Sequence, residues 1–156
     1  MLRPQALALL RGSDHIIHAG DIGSPEILDT LAAMAPLTAV RGNNDIGAWA
    51  SRVPETDTFN AGGARIYVLH DLGELGVDTA RAGFQAVISG HSHRPAAVVK
   101  DGVLFVNPGS AGPRRFRLPV TVGLLRVSGG QVSAELLQVE CEPVVKQRPD
   151  RARESE

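Results

Sequence analysis

Apolar residues in this chain come in short runs, and most runs stop at a cluster of Gly, Asp, Asn or His. Residues 3–11 (RPQALALLR) repeat with helical spacing, and Pro4 is tolerated in a first helical turn. Gly12-Ser13 closes that helix. His15-Ile16-Ile17-His18-Ala19 then reads as a strand stopping at Gly20-Asp21. Ser24 is a good N-cap, Pro25 suits the first helical position, and Leu28, Leu31 and Ala32 form a stripe. This predicts a helix to about Met34, closed by Pro36. Thr38 to Val40 is the next strand, ending at Arg41-Gly42-Asn43-Asn44-Asp45.

After this α, β, α, β opening the pattern changes. Thr56 to Asn60 and Ala64 to Leu69 flank Gly62-Gly63 as a hairpin, and the second strand runs into His70-Asp71. Asp78 to Ala82 is expected as a short helix and Phe84 to Ile88 as a buried strand. Two further hairpins follow: Ala96–Lys100 with Val103–Val106 around Asp101-Gly102, and Val120–Val127 with Gln131–Glu140 around Gly129-Gly130. The class is α/β. In open α/β sheets ligands collect at the carboxyl ends of strands, so the polar loops after the strands are where chemistry is expected.

Composition narrows the setting. The 156 residues suffice for one domain with a full core, expected over residues 1–142, with a polar, disordered tail at 143–156. Aromatics are only 4%, so Leu, Val, Ile and Ala must build that core. A formal net charge of -1 gives no strong nucleic-acid signal. The lone Cys141 excludes an intrachain disulfide framework and a zinc ribbon, and it fits a reducing cytoplasm. No apolar run approaches the roughly 18 residues of a membrane span.

The candidate chemistry centres on Gly90-His91-Ser92-His93. Two histidines at i and i+2 directly after a strand do not suit packing, because in a continuing strand they would share a face where both rings need polar partners, and neutral imidazole is a common metal ligand. Asp21, Asn43 and His70 stand at the ends of other strands. Each alone also reads as an ordinary turn residue. Their joint placement at successive strand ends points to a shared site.

Gly20-Asp21, Gly42-Asn43-Asn44-Asp45, the strand-end His70, Gly90-His91-Ser92-His93 and Asn107-Pro108-Gly109-Ser110 together resemble the calcineurin-like metallophosphoesterases, in particular their small bacterial and archaeal phosphodiesterase branch. The resemblance covers roughly residues 1 to 140. It implies a four-layer α/β/β/α sandwich and a site for two divalent ions drawn from Mn, Fe, Zn, Ni or Mg. Asp21 resembles the carboxylate bridging the ions, Asn43, His70 and His91 the other ligands of the second, and His93 a ligand of the first. The implied activity is hydrolysis of a small phosphodiester or phosphomonoester by a metal-bridging hydroxide. The competing function is a non-catalytic interaction scaffold, because the same fold resembles the retromer scaffold subunit.

Several positions depart from the family pattern or carry two readings. The pattern opens with a strand ending in Asp-x-His, and Met1-Leu2-Arg3-Pro4 resembles the residues just after it. The expectation is therefore a missing first β-strand, through a start assigned to an internal Met or through real loss. One ion or none would then bind, with weak or absent two-metal catalysis that an upstream Asp-x-His strand would restore. The strand edge so exposed would invite a homo-oligomer. Asp14 and His15 lie about 20 Å from the site and cannot replace the lost ligands; His18 reads as buried beside it. Asn44 stands where many members have a His that assists the leaving group, so it is the candidate catalytic and substrate-binding residue. Arg114, with Arg115 and Arg117, reads either as a substrate-phosphate contact or as a solvated turn. Asp45 either orients Asn43 or Asn44 or finishes its turn, and Asp71 could hydrogen-bond a ligand. Trp49 and Phe59 read as packing residues.

Overall fold

The computed structural model describes residues 2–112 and 119–139. Its first half is a β-α-β crossover preceded by a helix: α1 (Pro4–Leu10), β1 (Ile16–His18), α2 (Pro25–Ala32) and β2 (Leu37–Ala39), with β1 and β2 parallel. Pro25 presets the first helical turn of α2, which buries Leu31 and leaves its other face to solvent. The crossover sends β1 and β2 in the same direction, so both end on the same side. That places Gly20-Asp21 beside Gly42-Asn43.

Five further strands form one sheet in the order β3 (Thr56–Ala61), β4 (Ala64–Leu69), β5 (Ala86–Ile88), β7 (Val103–Asn107) and β6 (Ala96–Lys100). The central β4, β5 and β7 run parallel and are almost continuously buried, as apolar strands covered on both faces must be. Hairpins add β3 and β6 antiparallel at the edges. β8 (Thr121–Ser128) and β9 (Gln131–Gln138) pair as a separate hairpin, which meets the first through Gly130 N–H donating to Gly62 O at 2.8 Å.

The main core lies between the two layers of strands. Ile66, Val68, Ile88 and Val106 of the large sheet face Ala19 and Val40, with Leu125, Val127 and Leu136 packed against them. Fully burying such side chains is worth about 1.5–3 kcal/mol each. α1 closes the outer face of the β8–β9 hairpin by setting Ala6 against Val120, Val122 and Val139. Between β1 and β8, which are not hydrogen-bonded to each other, lies a cleft of about 590 Å³ floored by Phe59, Ile66, Ile88 and Val106.

The opposite face of the large sheet differs in detail from the expected layer. The helix expected at Asp78–Ala82 is absent. Residues 79–83 form turns, held by Ala82 N–H to Asp78 O and Phe84 N–H to Thr79 O. Five residues cannot offset the cost of nucleating a helix, and Gly83, at φ 79°, stops propagation. A single 3-10 turn at Leu72–Glu74, with Gly73 N–H donating to Asp71 Oδ1 at 2.9 Å, takes its place. The segment still covers Tyr67, Leu69, Phe84 and Val87 with Leu75 and Ala82. Arg114, Arg115, Arg117 and the tail at 143–156 lie outside the described residues. No helix among the described residues is long and apolar enough to cross a membrane.

His15 ties the two layers by packing rather than chemistry. Its ring stacks on Phe59 at 4.2 Å, and its Nε2 lies 2.8 Å from Thr38 Oγ1. Burial lowers its pKa from the ordinary 6.5, and burial lowers that of His18 as well. The unfolded chain therefore binds protons more readily than the native one as the pH falls. This part of the stability is complete above about pH 6.5 and is lost as the pH drops through the native values. Urea midpoints are expected to be higher at pH 7.5 than at pH 5.5, by a margin that shrinks in His15→Gln. An equal margin in both proteins would remove His15 from this account.

Candidate metal centre

The centre begins with one backbone carbonyl. His70, at the end of β4, approaches Ala19 O at the end of β1 with its Nδ1 at 2.7 Å. A carbonyl only accepts, so Nδ1 carries the proton and neutral His70 presents a bare lone pair at Nε2. That Nε2 lies 2.8 Å from Asn43 Oδ1, 3.2 Å from His91 Nδ1 and 3.5 Å from Asp21 Oδ2, while His91 Nδ1 is 3.1 Å from Asn43 Oδ1. Three of these atoms can offer lone pairs to the same point, with at most the His91 proton between them. Ligands about 2.1 Å from a shared cation and at right angles stand about 3.0 Å apart. The spacing fits a divalent ion. Counting only His, Cys, Asp and Glu, no group of three among the described residues could hold a metal. The Asn43 amide oxygen supplies the further donor here.

Glycine makes this approach possible. A Cβ on Gly42 would collide with the backbone nitrogen and carboxylate of Asp21, and one on Gly20 would collide with the His70 ring. The loops are then locked by acids and amides. Buried Asp45 accepts from Gly42 N at 2.9 Å and from Gly23 N at 3.0 Å, clasping the loops after β1 and β2 together. Asn44 is committed to Asp21. Its backbone N–H donates to Oδ1 at 3.0 Å and its side-chain amide to Oδ2 at 3.1 Å. Asn107 braces the third loop, donating to Gly90 O at 2.9 Å and Ser92 Oγ at 3.1 Å while accepting from Gly109 N at 2.9 Å.

Among the described residues, four that are not glycine have left-handed backbone: Asp21 (φ 55°), His91 (67°), His93 (59°) and Asp101 (51°). Asp101 belongs to a two-residue hairpin turn, which demands that conformation. The other three are candidate ligands. Non-glycine residues in this region cost about 1–3 kcal/mol and persist where surroundings over-determine them, as at functional sites.

The structure thus gathers Asp21, Asn43, His70 and His91 in one cluster. The Asp21 and His70 side chains are only 12% and 8% exposed, whereas His91 at 45% forms the open side. His93 lines the same cavity of about 190 Å³ as Asp21 and His91. His18 lines it too, with its Nδ1 accepting from Gly20 N at 3.2 Å. Burial lowers the His18 pKa against the upward pull of the Asp45 and Asp21 carboxylates. Asp71 reaches toward the far side of the His91 ring, with Oδ2 at 3.9 Å from Nε2. Phe59 packs on His15, and Trp49 is half-buried beyond the cluster. Sequence reasoning left Asp45 undecided between two roles and gave Asn107 none. Their signal was present as an acid in the Gly-Asn-Asn-Asp turn and as the first residue of Asn-Pro-Gly-Ser.

Residues 1–130 match the calcineurin-like phosphoesterase superfamily domain. A probable metallophosphoesterase from Methanothermobacter thermautotrophicus is 34% identical over 134 residues, 82% of this chain and 77% of that protein. Among the solved structures that share the fold are two from different sources. One is an archaeal phosphodiesterase with 20% identity and a TM-score of 0.69, matched over 85% of this chain and 90% of that one. The other is Vps29 of Entamoeba histolytica complexed with Zn²⁺, with 20% identity and a TM-score of 0.69 over 90% and 91%. With its site loops at the strand ends and a family match over most of its length, the chain belongs to the calcineurin-like phosphoesterase superfamily.

Proposed function

We propose that this protein is a metal-dependent hydrolase of small phosphodiesters, with phosphomonoesters as secondary substrates. The observation that carries the reading is the convergence of Asn43 Oδ1, His70 Nε2 and His91 Nδ1 within 3.2 Å of one another beside the Asp21 carboxylate. These four residues would hold one divalent cation, with manganese our choice, and Asp21 and His93 would face a second. Bound cations would acidify water and neutralise charge on phosphoryl oxygens. The chain's own groups perform the remaining tasks. Ala19 O fixes the His70 tautomer, and Asn44 holds both oxygens of Asp21 in place. Asn44 and Arg114 are the proposed substrate contacts. The single cysteine supports a cytoplasmic location.

A second reading is supported by the fold likeness to Vps29: a protein-interaction scaffold that keeps cation ligands without turnover. Titration with Mn²⁺ followed by hydrolysis of bis(p-nitrophenyl) phosphate separates the two. Manganese-dependent turnover that disappears in His91→Ala supports the hydrolase. Mn²⁺ binding with no turnover of diesters or monoesters, even after an upstream strand ending in Asp-x-His is added, would favour the scaffold, and no binding of any divalent ion would refute the metal centre itself.

The bracing residues give a graded prediction. Asn44→Ala and Asp45→Ala are expected to weaken Mn²⁺ binding by about 10–100-fold, as loss of a ligand's hydrogen-bond partner does. Asp45→Ala is also expected to lower stability by about 1–3 kcal/mol, because it leaves the Gly42 N–H without its carboxylate acceptor. Calorimetric titration and urea denaturation check the pair. Unchanged affinity in both variants would mean that the loops hold their shape without these contacts.

A further inference from the structure

β6 is an edge strand whose five residues, Ala96 to Lys100, are all exposed, and no described strand pairs with its outer side. Val98 and Val99 are 59% and 67% exposed. Neither a bulge nor an internal proline protects this edge, as edge strands generally require.

The hairpin fixes which backbone groups face outward. Lys100 and Val103 close the two-residue turn Asp101-Gly102, so they form a hydrogen-bonded pair. Antiparallel pairs alternate, so Ala96 and Val98 also bond to β7. Ala97 and Val99 therefore direct their N–H and C=O groups away from the sheet. We propose that β6 pairs antiparallel with β6 of a second copy about a two-fold axis at Val98, joining the two large sheets into one.

Only this register suits the outward groups. Ala97 lies opposite Val99 of the second copy, and each such pair exchanges both N–H···O bonds. Centring on Ala97 would set Val99 against Pro95, which has no N–H. Centring on Val99 would set Ala97 against Asp101, which is turned into the hairpin at φ 51°. The charges agree. Asp101 comes opposite Pro95 of the second copy, next to its Arg94, at both ends of the pairing by symmetry, and Lys100 faces Ala96 rather than another lysine. Val98 meets its own counterpart and Val99 meets Ala97, so both exposed valines gain cover. The contact directly follows the loop carrying His91 and His93.

The two-fold axis makes a sharp test. Across an antiparallel non-hydrogen-bonded pair the Cα atoms stand about 4.5 Å apart, within disulfide reach. In a Cys141→Ser background, Val98→Cys is expected to give a disulfide-linked dimer on mild oxidation, while Val99→Cys, displaced from the axis, is not. Sedimentation of the unmodified protein should show a concentration-dependent dimer, and Val98→Lys, which sets like charges face to face on an exposed position, should be monomeric. A monomer at all concentrations, equal linking of the two cysteine variants, or a dimer unchanged by Val98→Lys would each overturn the proposal.

Discussion

The contact on which the centre rests is the buried hydrogen bond from His70 Nδ1 to Ala19 O, at 2.7 Å. It joins the end of a strand in the large sheet to the end of a strand in the other layer. Because the acceptor is a carbonyl, the bond also decides the tautomer, and hence that the outward-facing Nε2 has a lone pair to give. Packing geometry and ligand chemistry are set by the same proton. A buried polar group that lost this partner would carry the full cost of its desolvation. The core residues around it, Ala19, Ile88 and Val68, keep water out.

Around that bond the site is assembled from loops that contribute little regular structure of their own. Each is tethered by a side chain that is not itself a candidate ligand. Asp45 holds two glycine amides, Asn44 holds Asp21, and Asn107 holds the Gly90 carbonyl. Such tethers turn mobile connections into a fixed frame. The large sheet supplies rigidity beneath them, since its central strands are buried on both faces.

Much of this was legible in the sequence, for definable reasons. Strands reveal themselves by apolar runs, and Gly-Asp, Gly-Asn and Gly-His at their ends mark where the backbone turns and polar groups gather. The β-hairpins were equally plain from Gly62-Gly63, Asp101-Gly102 and Gly129-Gly130. The segment 78–82 misled because its composition suits a short helix, whereas the fold has a surface there that turns cover as well. Asn44 also holds both oxygens of Asp21, 23 residues away in sequence, a tether that residue type alone does not announce. Asp45 and Asn107 act over distances in sequence that no local pattern encodes: 22 residues to Gly23 and 17 to Gly90.

The left-handed backbone at Asp21, His91 and His93 has a consequence for the evolution of this chain. Glycine would adopt those angles without strain, so at three neighbouring positions the most comfortable residue is one with no side chain to offer. Selection acting on thermal robustness alone would drift toward erasing the centre while leaving the packed sheets beneath it intact. An acid and two imidazoles held at such angles carry a conformational cost that stability alone does not call for.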